Sequence, residues 1–253
     1  MSKPLVAAIV GIYSALLAYL ALAGETRALH SLVTLNGWWD RDAGGWALVP
    51  GLLAIGALQA WMIWALLRMP PLTVHRGLRQ ALIALALTYT VLFPLLPELL
   101  LLLLGLFLIM TVVIFLPAVF ADWPLNVRNT LVALGLAGVL LSPPLGMVVV
   151  VWWGAVLLLQ FLDGRWSTPT LVAGLLAMGT TLLGLIVPVP PWFLADGPHW
   201  ATYEVLLDAT AVTDALWLVL TARELTTLSP WEPVVTPHRS RSLEPRPAAR
   251  AAA

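Results

Sequence analysis

Residues 97–119 read PELLLLLLGLFLIMTVVIFLPAV, and after Glu98 this stretch contains no charged side chain. A helix needs about 20 consecutive apolar residues to cross the hydrocarbon core of a bilayer. Pro97 suits the first position of a helix, and the Glu98 carboxylate suits its positive end. The stretch therefore predicts a transmembrane helix that begins near Pro97.

The composition of the whole chain has the same character. Its 253 residues are 60% hydrophobic and 10% charged, with a mean hydropathy of +0.93. Soluble domains carry about 25% charged residues. A water-soluble fold of this length could not hide so much apolar surface, so we expect lipid to be the solvent for most of the chain.

Two further counts exclude classes of function. The net charge is zero, which gives no reason to expect a nucleic-acid partner. The chain has no cysteine, which removes disulfides, thiolate metal sites, iron–sulfur clusters and cysteine nucleophiles. No metal site and no particular cofactor are indicated.

The apolar runs predict an all-α, polytopic bundle of about eight transmembrane helices. Pro94–Pro97 and Ser142-Pro143-Pro144 divide two runs that are each too long for one crossing. Thr168 before Pro169 reads as the N-cap and first residue of the seventh helix. The predicted spans are 4–23, 46–67, 77–96, 97–119, 124–141, 143–162, 168–187 and 200–222, and a re-entrant hairpin would reduce them to seven.

The positive charges predict the orientation. With the N-terminus inside, the outer side holds only Arg27 and Arg41, as the positive-inside rule requires. Both termini are then cytoplasmic, and the Arg-rich, Lys-poor usage suggests the inner membrane of a high-GC bacterium. The inner side holds Lys3, Arg68, Arg76, Arg79, Arg128, Arg165, Arg223 and the arginines at 239, 241, 246 and 250.

Residues 1–224 are thus the predicted transmembrane domain, and residues 225–253 a cytoplasmic tail. The tail is rich in Pro, Arg, Ser and Ala and is expected to be disordered alone. Two outer connections, 24–45 and 188–199, are long enough to carry a site, while the other two are tight Pro turns.

The last predicted helix contains acids at membrane depth. Asp208 is expected roughly 10 Å below its outer end and Asp214 roughly 12 Å above its inner end. Glu204 and Asp208 share one face, whereas Asp214 shares another with Thr210. An intramembrane carboxylate is usually protonated, paired or in contact with a wet cavity.

These residues have two interpretations. Glu204, Asp208, Asp214 and Thr210 are candidates for a proton or cation relay, or the acids are protonated and hydrogen-bonded across a helix interface. Few other polar groups lie in the spans, and we expect the hydroxyls to bond the backbone of their own helices. They are Thr88, Tyr89, Thr90, Thr180 and Thr181, with Gln59 and Gln160 among the amides.

The outer connections are rich in tryptophan, as in an interfacial aromatic belt. Trp38-Trp39-Asp40, with His30 and His199, also resembles the haem-presenting outer loop of cytochrome c maturation proteins. The likeness covers three residues, lies between the first two helices rather than where that family places it, and lacks the fuller Trp-rich motif. It implies haem handling as a remote alternative.

Other cofactor chemistry is excluded by position. The four histidines lie outside the predicted spans, so no buried bis-histidine haem forms. Residues 207–211, LDATA, resemble the retinal-binding helix of microbial rhodopsins, but that family's lysine is replaced by Val212. The resemblance therefore cannot extend to a retinal Schiff base.

Three classes of function remain. The first is a non-catalytic subunit or assembly factor of a larger membrane complex, with other membrane subunits as partners, and it is the interpretation that the scarcity of polar sites favours. The second is a small proton- or cation-coupled transporter that uses the acids of the last helix. The third is a lipid-modifying enzyme, for which the sequence contains no catalytic set.

Overall fold

The computed structural model describes residues 2–34, 45–70, 75–88, 90, 97–140, 146–187 and 198–225. These residues form helices and their connections, without a strand. The helices are α1 (Lys3–Leu22), α2 (Thr26–Thr34), α3 (Val49–Leu67), α4 (Arg76–Leu87), α5 (Glu98–Phe115), α6 (Leu125–Leu140), α7 (Gly146–Asp163), α8 (Thr168–Ile186) and α9 (Pro198–Glu224). Short 3₁₀ turns at Gly45–Leu48 and Leu116–Val119 extend α3 and α5.

Five helical stretches within the described part are long and apolar enough to cross a membrane. They are Lys3–Leu22, Trp46–Leu67, Leu99–Val119, Thr168–Ile186 and Thr202–Glu224. Leu125–Leu140 and Val150–Asp163 are apolar but shorter. The all-helical fold and its transmembrane character agree with the sequence prediction.

Contacts between helix ends fix the direction of the chain. Gly24, with a positive φ of 76°, follows α1 and reverses the chain, and the ring of Trp46 lies beside it at the start of α3. At the other end of α3, the guanidinium of Arg223 stacks over Trp64. The chain therefore enters α1 and leaves α9 on the same side of the bundle, which we call the termini side; the opposite side is the far side.

Six helices close into a ring. Each helix from α4 to α9 packs on the next, and α9 packs on α4 to complete the circle. Outside the ring, α3 packs on α9, and α1 and α2 pack on α3. Of the membrane-length stretches, the one in α9 is the most enclosed, with 56% of its apolar window buried against 17% for α1.

Tryptophan side chains pack inside the ring against glycines. A Cβ on Gly174 of α8 would lie 2.1 Å from Leu157 and 2.9 Å from Trp217. A Cβ on Gly135 of α6 would lie 2.7 Å from the indole nitrogen of Trp152. The glycines therefore leave room for large side chains of neighbouring helices, and small residues of this kind let helices pack closely in membranes.

Three details differ from the sequence prediction. The predicted outer loop 24–45 contains α2, whose amphipathic pattern of Leu29, Leu32 and Val33 explains it. The described helix in the predicted span 77–96 is the 12-residue α4. Thr168 is the first residue of α8 and Ser167 is its N-cap, so the predicted Thr168 cap is wrong. The predicted tail from 226 onward lies outside the described residues.

The close packing at Gly174 can be tested within one helix. Gly174→Ala should destabilise the fold by about 1–3 kcal/mol, because the new methyl group overpacks the ring interior. Gly179→Ala is the matched control, since nothing lies within 4 Å of its Cβ position. Thermal unfolding in detergent should show a lower midpoint for the first variant and no loss for the second. Equal midpoints would contradict the packing.

Candidate functional site

Asp214 lies in the middle of α9, ten residues before Glu224, and thus about 15 Å from the termini side. Trp217, one turn further along, reaches across the ring to α7. Its indole nitrogen donates to the Gln160 Oε1 at 3.1 Å, and its ring lies 5.1 Å from that of Trp153. Because α7 is not next to α9 in the ring, the face of α9 that carries Asp214 and Trp217 points into the ring. We call this face the inward stripe.

Asp214 is partly buried there, and one of its carboxyl oxygens, Oδ1, is shielded from solvent and has no hydrogen-bond partner among the described residues. An ionised carboxylate is costly in such a place unless it is paired or hydrated. The side chain must therefore be protonated, or a cation or water must bind its carboxylate.

Other shielded polar atoms of the ring helices share this property. Among the described residues of α7, α8 and α9, five such atoms belong to tryptophan, glutamine and threonine side chains. Since unsatisfied buried polar groups are rare in native proteins, such a group of them requires an explanation. The atoms are the indole nitrogens of Trp152 and Trp153, the Gln160 Nε2, and the hydroxyls of Thr181 and Thr221.

The remaining hydroxyls in the ring are satisfied. The Thr180 and Thr213 hydroxyls lie 2.9 Å apart across the α8–α9 interface, so one donates to the other, and the accepting hydroxyl donates to a carbonyl of its own helix. Thr210 donates to the Leu206 carbonyl at 2.9 Å. Thr88 and Thr90 likewise bond α4 carbonyls. The prediction of backbone-satisfied hydroxyls is confirmed for Thr88, Thr90 and Thr180, and Thr181 departs from it. Tyr89 lies outside the described residues.

Glu204 and Asp208 occupy the far-side half of α9, away from Asp214. Both are partly buried and are separated by one helical turn. On the α3 side of this half, Val205 contacts the position that a Cβ on Gly51 would occupy. The four predicted relay residues thus lie along one continuous helix, with Thr210 between the two aspartates.

A second polar cluster, at the termini side, surrounds Glu224 at the end of α9. The Glu224 carboxylate accepts hydrogen bonds from the backbone nitrogen of Ser167, at 3.0 Å, and from its hydroxyl. The Thr170 hydroxyl donates to it at 2.5 Å. In a capping box, a carboxylate at the third helical position receives the N-cap N–H. Here Thr170 holds that position, and Glu224 supplies the carboxylate from another helix.

Glu224 could not be recognised as a capping residue from the sequence. Its partners are more than fifty residues away in the chain, so no local pattern contains them. The Ser-Thr-Pro start of α8 was visible as a cap sequence without a Glu or Gln at its third position. The absence of an acid at this position indicates that a carboxylate from another part of the chain could complete the cap.

Charged residues join the other connections on the termini side. Arg165 donates to both carboxylate oxygens of Asp163, at 2.9 and 3.0 Å, and lies 3.6 Å from Asp122. The hydrogen bond with Asp163 raises the pKa of the Arg165 guanidinium. Arg68 and Arg223 both lie over Trp64, at 5.3 and 4.9 Å from the ring centroid. These contacts tie the ends of α3, α7 and α9 to their neighbours.

A groove of about 550 Å³ runs between α4 and α5 near the termini side. Its walls are largely apolar, with Leu78, Phe107 and Phe115 among the lining side chains and His75 at one end. The groove is separate from the inward stripe, and its lining offers no catalytic set.

The outer-loop candidates are only partly described. His30 lies on α2 and is half buried. Trp38, Trp39, Asp40 and the side chain of His199 lie outside the described residues. Over the ranges that are described, no three His, Asp or Glu side chains come together to hold a metal ion.

Comparisons of the chain with protein-family models, curated proteins and solved structures found no match.

The Glu224 cluster leads to a test of stability. Glu224→Ala should lower the free energy of unfolding by about 1–2 kcal/mol, because it removes the acceptor at the start of α8. This corresponds to a fall of several degrees in the thermal midpoint. Glu25→Ala, at an exposed acid directly before α2, is the control and should cost only about 0.3 kcal/mol, because an exposed charge at a helix start contributes little. If both variants melt together, Glu224 does not cap α8.

Proposed function

We propose that the chain crosses the inner membrane of a bacterium eight times, with both termini in the cytoplasm. Eight crossings place α1, α3, α4, α5, α6, α7, α8 and α9 alternately up and down, which agrees with the end-to-end contacts on the termini side. The termini side carries most of the arginines, and the positive-inside rule makes that side cytoplasmic.

Within this bundle, we propose that the protein moves protons across the membrane, with Asp214 as the group that takes up and releases them. One observation carries the proposal: a carboxyl on the inner face of the ring of helices has a shielded oxygen that no described residue satisfies. Intramembrane acids that face a bundle interior are typical of proton relays. A protonatable acid is therefore the chemistry that this position offers.

Polar groups on both sides of Asp214 suggest the route. Asp208 lies about 9 Å away toward the far side, with Thr210 between them. Thr221 lies about 10 Å away toward the termini side, where Gln160 of α7 also reaches the ring interior. These gaps are longer than one hydrogen bond, so the relay requires bound water to connect the groups.

The packing of the ring favours a proton over a larger solute. The positions where Gly135 and Gly174 would carry a Cβ are already filled by tryptophan and leucine atoms. A sugar or an amino acid would need the ring to open. A proton needs only an acid and a few ordered waters, and the unpartnered indole and amide nitrogens supply donors for those waters.

Proteoliposomes that contain a pH-sensitive dye test this function. Under an imposed membrane potential, the wild-type protein should move protons, and Asp214→Asn should reduce the flux at least tenfold because the amide cannot take up a proton. Asp208→Asn should reduce it as well. Asp122→Asn is the control, since this acid is exposed on the termini side, and it should retain the wild-type flux.

Two results would overturn the proposal. Wild-type flux in Asp214→Asn would remove Asp214 from the route. A wild-type protein that conducts no better than empty liposomes would remove proton movement altogether and leave the other predicted class, a non-catalytic subunit or assembly factor.

The subunit function stays a second proposal. Its support is the large apolar surface of α5, where Leu99, Leu102 and Phe107 are each more than 60% exposed. Such a face fits lipid or a neighbouring membrane protein equally well. Native mass spectrometry of the gently solubilised protein separates the two, because a subunit should retain stoichiometric partners.

A further inference from the structure

The short helix α2 lies beside α1 and α3 rather than above them. The turn at Gly24 sends the chain back along α1, and α2 packs on both neighbours. Leu29 and Val33 are buried in a cluster with Leu17 of α1 and Ile55 of α3. A helix that lay on the membrane surface would not reach those side chains.

The hydrogen bonds at the end of α2 set its depth. Gln59 of α3 donates its side-chain nitrogen to the Val33 carbonyl, and its oxygen accepts from the Tyr13 hydroxyl of α1. Tyr13 lies nine residues before the end of α1, and Gln59 lies ten residues after the start of α3. Both distances are about 14–15 Å, half of a hydrocarbon core about 30 Å thick.

The sequence of α2 does not suit contact with lipid along its length. Five of its nine residues, TRALHSLVT, are polar. Arg27 and Ser31 are exposed on the face turned away from the buried Leu29 and Val33. The last carbonyls of a helix also lack partners within the helix. Backbone ends of this kind are tolerated at membrane depth only inside protein or beside water.

We infer that α2 is a re-entrant helix whose exposed face lines a water-filled vestibule, open on the far side and reaching about halfway through the membrane. Tyr13 and Gln59 hold its inner end. The vestibule shortens the distance that any solute or proton must travel through the ring. The inference rests on the placement of α2 alone and does not depend on proton movement.

Single-cysteine labelling tests the vestibule, and the natural absence of cysteine provides a clean background. Ser31→Cys is the test position. Ile12→Cys is the matched control, because Ile12 adjoins Tyr13 in depth and is 71% exposed on α1. Glu25→Cys, in the exposed turn before α2, is the positive control. All three are exposed positions, so the core is unchanged.

A charged, membrane-impermeant thiol reagent is added to the far side of intact membranes. The vestibule predicts that Ser31→Cys reacts at least tenfold faster than Ile12→Cys and within tenfold of Glu25→Cys. If Ser31→Cys reacts as slowly as Ile12→Cys, α2 faces lipid and the vestibule does not exist. The labelling outcome is independent of the flux assay, so either proposal can fail without the other.

Discussion

A polar group inside a bilayer has no water to bond, so it must find its partner within the protein. This constraint accounts for the arrangement of the helices around α9. Of the membrane-length helices, α9 carries acids along its length, and it is also the one most enclosed by its neighbours. The apolar α5, with exposed leucines along much of its surface, stands at the lipid boundary. The helix that carries the acids therefore lies inside the bundle, and the apolar helix lies at its surface.

The polar groups that have hydrogen-bond partners stabilise the packing of the helices. The proposed function rests on a polar group that lacks such a partner. Glu224 caps α8, Gln59 holds the end of α2, and the Thr180–Thr213 pair joins α8 to α9. Each bond joins neighbouring helices through residues that are at least 26 positions apart in the chain. Asp214 has similar surroundings but an unsatisfied oxygen. A buried acid is expensive to keep, and a structural role would normally come with a partner.

The helices themselves could be predicted from the sequence, because run length, proline breaks and flanking charges are local properties. The acids of α9 could be located for the same reason. Contacts between helices could not be predicted from the sequence. Trp217 donates to Gln160 and packs against Gly174, and Glu224 caps the start of α8. The helix α2 could not be predicted for a different reason: a short, largely polar segment between two spans is typical of a loop, although its apolar residues repeat with helical spacing.

The proposed site requires that α9 packs against α8 inside a closed ring of helices. Cysteine cross-linking in native membranes tests this packing most directly. Thr180 and Thr213 have hydroxyl oxygens 2.9 Å apart, so a Thr180→Cys/Thr213→Cys pair should form a disulfide rapidly on mild oxidation. Thr180→Cys/Thr202→Cys, with the second cysteine about 16 Å further along α9, should not. Mass spectrometry of proteolytic fragments reports both pairs. Absence of the first cross-link, or equal formation of both, would contradict the packing of α9 on which the proposed site depends.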